Sequence, residues 1–395
     1  MGEKLSDLME TIIYQPEFEI VVSPSRLCEV VGLCREKNVV AIDTEFARFN
    51  TYFPIVGLIQ LYDGDACYLI DPVQIEDISG LTNLIEDSSV TKIFHACSED
   101  LEVFKHCLGV APAPLFDTQI AAAMLGVGFS VSYQNLVEHY LGFHVPKEET
   151  RSDWLRRPLT TAQLEYAALD VIYLLQVYEK QHLHLQERGR SSWVEQECQD
   201  LPTTIATQID PQAYYQRVKN TSRLTRRQLG LLQSLCGWRE IKARELDIPR
   251  NRVVDEKSLF LIAQLSLHKP DFQEFANLSP RQMRKYGDDL QSMVDAVVNV
   301  AEHELPPAIL KPKTAVNNKS LKSLKKIVDQ KAKDINVAPE MLAKRRHLEQ
   351  LLRSVDEQGQ YSLPAAFDGW RESVIGHELL QQLVKNTGGT HVNDL

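Results

Sequence analysis

The chain has 395 residues, 44% hydrophobic and 25% charged, the balance of a soluble globular protein, which excludes collagen-like, coiled-coil and wholly disordered readings. At about 100 to 200 residues per domain, the length predicts two to three domains. The first 200 residues hold 14 Lys and Arg against 31 Asp and Glu, a net of −17, while the remainder holds 29 against 23, a net of +6. No apolar run approaches the ~18 residues of a membrane span. The seven cysteines are odd in number and form no C-x-x-C pair, so a reducing cytosol fits better than a disulfide framework or a zinc site.

Val39-Val40-Ala41-Ile42 reads as a short buried strand, and Gly57 to Tyr62, followed by Asp63-Gly64-Asp65, as a strand entering a hairpin turn. Ala66 to Ile70 supplies the return strand. Leu81 to Ile85 reads as a helix, Thr91 to Phe94 as a strand, and Ser98 to His106 as a helix with Ser98 at its N-cap. A hairpin followed by alternating strand and helix predicts a mixed α/β sheet. Beyond Pro211 the strand signals vanish. Thr225 to Leu246 has helical spacing and stops before Pro249, and Ser279-Pro280 opens a helix through Val300. Lys311 to Ser320 reads as a linker ahead of a second all-helical unit.

Three acidic elements stand out in the first half. Asp43-Thr44-Glu45 follows the first strand, and side chains two apart on a strand face the same way, so both carboxylates crowd one side of the sheet. Asp100 lies in the first turn of the helix from Ser98, and Tyr166 and Asp170 stand at i and i+4 on one helix face. Each alone has an ordinary structural explanation: solvated acids at a strand end, a helix-dipole choice, a tyrosine packed on the core. His95 reads as a structural histidine bonded to the backbone.

The combination, in this order and within about 130 residues, resembles the DEDD superfamily of 3′→5′ exonucleases in its tyrosine-containing branch. The local wording is closest to the ribonuclease D family. Ala41 to Phe46 with Arg48, Thr51-Tyr52, Pro54 and Gly57 to Leu61 resembles its first motif. His95 to Phe104 is similar to its second, and Ser152-Asp153-Trp154 with Arg157-Pro158-Leu159, Tyr166 and Asp170 to its third. Cys97 stands where the family usually has glycine. The resemblance implies a ribonuclease H-like α/β exonuclease domain, a mixed sheet flanked by helices, over residues 1–205. It also implies an all-α HRDC domain over 217–303 and a second HRDC-like helical domain over 306–395.

The same resemblance implies that Asp43, Glu45, Asp100 and Asp170 hold two divalent ions, Mg²⁺ or Mn²⁺. Asp43 would bridge both, Glu45 would also reach the terminal 3′-hydroxyl, and Tyr166 would orient the attacking water. Oxygen donors of this kind suit hard cations rather than zinc. Lys147, Arg151, Arg156 and Arg157 cluster at the third motif and are expected to contact phosphate, while Phe46 and Tyr52 are expected to stack on or wedge against the terminal base. Arg48 joins them as a substrate-binding residue.

Arg217 to Arg252 holds ten Lys and Arg against three acids, and Arg223, Arg226 and Arg227 in it are expected to bind RNA. No base-reading motif is present, so recognition of shape and of a free 3′ end is expected. The resemblance thus implies a cytoplasmic 3′→5′ exoribonuclease that trims tRNA precursors and other small structured RNAs to nucleoside 5′-monophosphates, with no membrane partner; the sequence leaves the oligomeric state open, a monomer being favoured. Two alternatives stand beside it. One is a DNA exonuclease with the same acidic set, and the other is a non-catalytic RNA-binding scaffold, whose signature would be loss of at least one acid.

Overall fold

The computed structural model describes residues 16–145, 152–206, 210–265, 275–309, 318–356 and 358–388. Two compact units are present. The first comprises Met1–Ala47, Val56–Thr203 and Asn336–Met341, and the second Arg48–Ile55, Thr204–Ile335 and Leu342–Leu395.

In the first unit, β1 (Glu19–Val21), β2 (Val39–Ala47), β3 (Ile55–Tyr62), β4 (Cys67–Ile70), β5 (Thr91–Phe94) and β6 (Leu115–Asp117) form one sheet in the order β1-β4-β3-β2-β5-β6. β3 and β4 pair antiparallel, whereas β1 with β4, β2 with β5 and β5 with β6 are parallel. The mixed α/β sheet expected from the sequence is therefore present. β2 lies inside the sheet because Val40, Ala41 and Ile42 are wholly buried, and its end delivers Asp43 and Glu45.

The helices of this unit are α1 (Pro24–Arg35), α2 (Thr82–Ile85), α3 (Ser98–Cys107), α4 (Thr118–Met124), α5 (Tyr133–Leu141), α6 (Thr161–Glu187) and α7 (Ser191–Ala206). The long α6 starts at a capping box in which Thr160 and Gln163 satisfy each other's backbone N–H groups. It packs on β2, burying Ala167, Ala168 and Val171. One expectation is corrected here: Cys97, not Ser98, is the N-cap of α3, and it makes no side-chain cap bond. The Asp117 carboxylate serves that turn instead, accepting the backbone N–H of Ala96 (3.1 Å) and Cys97 (2.9 Å). Cys97 is buried with a φ of −60°, so the turn does not require glycine there.

The segment 336–341 closes this unit from far along the chain. Ala338 N–H donates to the Ala123 carbonyl (2.8 Å), and Arg190 donates to the carbonyls of Met124 (2.6 Å) and Asn336 (3.1 Å). Gly126 permits this approach: it holds φ at 77°, and a Cβ there would lie 2.5 Å from Asn336 Oδ1.

Lys92 is wholly buried on β5, and its Nζ donates to the carbonyls of Asp87 (2.8 Å), Val90 (2.8 Å) and Ala113 (2.5 Å). Burial pushes its ammonium down to about 8 from 10.5. Between those values the unfolded chain binds more protons than the folded one, so this group makes stability rise with pH across that window. Lys92→Met is expected to flatten that slope and to lower stability near pH 7 by about 2 kcal/mol, because three carbonyls lose their donor. Urea unfolding at pH 7 and pH 9.5 measures both.

The second unit is helical among its described residues. Its first part holds α8 (Arg226–Glu245), α9 (Arg250–Val253), α10 (Glu256–Leu265) and α11 (Pro280–Val298) around a core that includes Leu229, Leu232, Leu235, Leu259, Ile262 and Leu290. α12 (Asn318–Ile335), α13 (Pro339–Leu342, which begins in the first unit), α14 (Arg345–Arg353) and α15 (His377–Gly388) follow, with α14 and α15 packed on α12. Residues 318–320, expected in a linker, open α12. The rest of that expected linker, 311–317, lies outside the described residues.

Candidate active site

Asp43 and Glu45 are half-buried at the end of β2, whereas Asp100 and Asp170 are buried on α3 and α6. Asp43, Glu45 and Asp170 each place a carboxylate oxygen within 4.8 Å of the others. Asp100 stands apart from that triad, bonded by the Thr44 hydroxyl at 2.5 Å, but its charge bears on Glu45 and the charge of Asp43 bears on it. Thr44 is thus the residue between the two acids of β2 that ties the strand to α3.

Burial, then mutual repulsion, raises the proton affinity of these groups. Asp170 is pushed up to about 7 by burial, Glu45 to about 10 by burial and Asp43, and Asp43 and Asp100 well above the carboxylate range. Asp170 Oδ1 is buried with no hydrogen-bond donor. An acceptor without a donor, inside a cluster of crowded hard oxygens, is the electrostatic deficit that a divalent cation removes. The donor set therefore fits Mg²⁺ or Mn²⁺.

Asp43, Tyr166 and Asp170 line a cavity of about 160 Å³ together with His95, Tyr133, Gln134 and Leu174. Tyr166 is held by Trp154, whose ring lies 6.2 Å away at 40°. Trp154 itself packs on β3 at Gly57, where a Cβ would lie 2.6 Å from the Trp154 carbonyl oxygen. Burial and the nearby carboxylates of Asp170 and Glu45 push the Tyr166 phenol far above its ordinary value, so it stays protonated at neutral pH. His95 Nδ1 pairs with the Thr118 hydroxyl at 3.0 Å, and burial lowers its proton affinity. Its ring is a neutral part of the wall.

Asp117, like Thr44, is a residue whose role sequence reasoning missed. Besides the N–H groups of Ala96 and Cys97, its carboxylate accepts those of Gln119 and Ile120. It thereby holds Ala96 at φ 57°, a conformation that costs a non-glycine residue about 1–2 kcal/mol, and fixes the turn that aims Asp100. In the sequence it reads as a routine helix N-cap.

Several expected substrate contacts are committed elsewhere. Arg157 donates to both oxygens of Asp71 (2.6 Å each) and to the carbonyls of Gly57 (2.6 Å) and Trp154 (2.8 Å), clasping the third-motif loop to the sheet rather than facing phosphate. Tyr52, expected at the terminal base, has its hydroxyl bonded to Glu240 and Arg250, and its N–H and that of Phe53 donate to Asp247 within the second unit. Arg227 donates to the carbonyls of Val297, Val298 and Val300 and so caps the end of α11, while Arg226 donates to those of Glu302, Leu305 and Pro306 in the segment that follows it. Phe46 is half-buried beside Glu45, Arg156 and Arg223 are exposed, and Arg48 is exposed with its Nε on the Tyr52 carbonyl. Lys147 and Arg151 lie outside the described residues.

Comparison with known proteins places this site in a family. A 3′-5′ exonuclease family model matches residues 18–186, an HRDC domain model 228–294, and a model of the ribonuclease D C-terminal HRDC domain 317–379. Ribonuclease D of Pseudomonas paraeruginosa is 39% identical, with 93% of this chain and 98% of that one covered. The chain belongs to the ribonuclease D family. Ribonuclease D of Escherichia coli is 37% identical over 92% of this chain and 99% of its own. The crystal structure of Escherichia coli RNase D, described as an exoribonuclease involved in structured RNA processing, superposes with a TM-score of 0.86, at 35% identity, covering 94% of this chain and 99% of that one. This ribonuclease D-family chain is accordingly a 3′→5′ exoribonuclease, with an exonuclease domain followed by helical HRDC domains. No helix among its described residues is long and apolar enough to cross a membrane.

The Thr44 bond makes a sharp test in this ribonuclease D-family site. Thr44→Val keeps the shape but frees Asp100, which the resemblance expects to hold metal, and loss of the partner of such a ligand typically costs 10–100-fold in metal affinity or activity. Calorimetric Mn²⁺ binding should weaken by about that factor, and Thr44→Ser should restore it.

Proposed function

We propose that this chain trims the 3′ ends of tRNA precursors and other small structured RNAs by two-metal-ion hydrolysis, releasing nucleoside 5′-monophosphates. The observation that carries the reading is the triad of Asp43, Glu45 and Asp170, crowded within 4.8 Å at a cavity shared with Tyr166. Asp43, Glu45, Asp100 and Asp170 would hold the ions. When bound, such ions activate a water and stabilise the leaving oxygen.

The remaining roles fall to the chain's own side chains. Glu45 takes the hydrogen bond of the terminal 3′-hydroxyl, which selects a free end. Protonated Tyr166 orients the attacking water by hydrogen bonding rather than by removing its proton. Phe46, beside Glu45, offers an apolar face to the last base. Arg48, Arg156 and Arg223, which are exposed, with Lys147 and Arg151, supply phosphate contacts that position the substrate.

The family assignment favours RNA over DNA as the substrate. Degradation of a tRNA precursor, of the same RNA ending in a 3′-phosphate, and of a matched DNA tests both points. The free-ended RNA should be shortened and the blocked one should resist. Equal rates on RNA and DNA would replace this reading with a general 3′→5′ exonuclease.

A further inference from the structure

With Arg226 and Arg227 committed to backbone carbonyls, much of the expected RNA-holding charge is not where the sequence placed it. A better-formed site lies further along the second unit. A groove of about 630 Å³ runs between α14 and the segment 364–366. One wall carries Arg346, Gln350 and Arg353, at i, i+4 and i+7, hence on one helix face. The other wall is Pro364, Ala365 and Ala366. The groove is braced at one end by Ser354, whose hydroxyl donates to the Ser362 carbonyl at 2.6 Å and which accepts the Ser362 N–H at 3.0 Å.

We propose that this groove binds a strand of the RNA substrate, its phosphates on Arg346 and Arg353 and its sugars and bases against the proline–alanine wall. The proposal rests on the RNA-trimming reading above. Arg346 and Arg353 are two helical turns apart, about 10 Å along the axis, a spacing that fits two phosphates of one backbone rather than a single carboxylate. Both arginines are exposed. Among the described residues Arg353 has a 3.9 Å ion pair with Glu349, which is shared with Arg345, and Arg346 Nε donates to His347 Nε2 of the same groove at 3.1 Å; such surface contacts are readily exchanged for phosphate. The apolar wall gives a nucleoside a surface that a purely ionic site lacks. Charge continues beyond the groove: α12, packed on α14, carries Lys319, Lys322, Lys325, Lys326, Lys331 and Lys333 against Asp329 and Asp334. A polyanion longer than the groove would be held along its length.

The test uses the full chain and a structured tRNA precursor in EDTA, so that binding is read without cleavage. R346E/R353E should weaken binding about tenfold or more and make the dependence of log K on log salt shallower by one to two, as expected for one or two lost phosphate contacts. R281E/R284E on α11, the same change in net charge, should have a smaller effect on both. R346Q/R353Q, with its melting temperature compared with wild type, separates loss of binding from loss of folding. Wild-type affinity and slope in R346E/R353E, or an equal loss in R281E/R284E, overturns the groove as an RNA site; in the first case a protein partner becomes its better occupant. Wild-type protein that binds the RNA but leaves it intact when Mg²⁺ is supplied overturns the catalytic reading and not the groove.

Discussion

Asp43→Asn is expected to lower turnover by on the order of 10³-fold or more with the fold intact. The reasoning is electrostatic: Asp43 is the acid in closest communication with the others, since it raises Glu45 and Asp100 and is itself raised by Asp170. Metal ions contribute several kcal/mol of charge stabilisation in such reactions, and each 1.4 kcal/mol is tenfold in rate. The same substitution should stabilise the metal-free protein. Crowded carboxylates bind protons more tightly folded than unfolded, so their contribution to stability falls as pH rises, for Asp170 between 3.8 and about 7. Replacing Asp43 by a neutral amide relieves that repulsion. Thermal unfolding in EDTA at pH 7 should therefore give a melting temperature at or above wild type, and added Mg²⁺ should raise it less in the variant. Near wild-type activity would end the assignment of Asp43 to the metal site.

Tyr166→Phe should keep metal and RNA affinity but lose turnover by about 10²-fold, the scale of a lost catalytic orientation. Burial by Trp154 and α6 keeps the phenylalanine ring in place, so the variant removes only the hydroxyl. Because the phenol stays protonated at neutral pH, the wild-type rate should show no rise attributable to its ionisation up to pH 9. An unchanged kcat would make Tyr166 a packing residue.

The parts of this site that were legible in the sequence depend on short-range geometry. Period two on β2 puts Asp43 and Glu45 together, and period 3.6 on α6 does the same for Tyr166 and Asp170. β2 to β5 were legible because they are apolar runs bounded by turns, whereas β1 and β6, three residues each, are too short to show a pattern. What could not be read was the partner of each polar group. A guanidinium looks alike in sequence whether it meets phosphate or carbonyls, which is why Arg157, Arg226 and Arg227 were assigned to RNA. Tyr52 carried an aromatic ring in the right motif, but its hydroxyl found Glu240, 188 positions away. Thr44 and Asp117 were passed over for the opposite reason: a threonine in a strand and an aspartate before a helix are ordinary, and only the fold shows that they aim Asp100. The segment 336–341 gave no sign that it would join the first unit, since its bonds to Ala123 and Arg190 are backbone contacts that any residue could make.

The most direct test of the central claim is digestion of a tRNA precursor, 5′-labelled in one series and uniformly labelled in a parallel one, by the intact protein with Mg²⁺, with Mn²⁺ and with EDTA, products being resolved at single-nucleotide resolution. The account predicts progressive shortening from the 3′ end and release of nucleoside 5′-monophosphates with either metal, and an uncut precursor in EDTA. Cleavage that persists in EDTA, or internal fragments from a circular form of the same RNA, would contradict it.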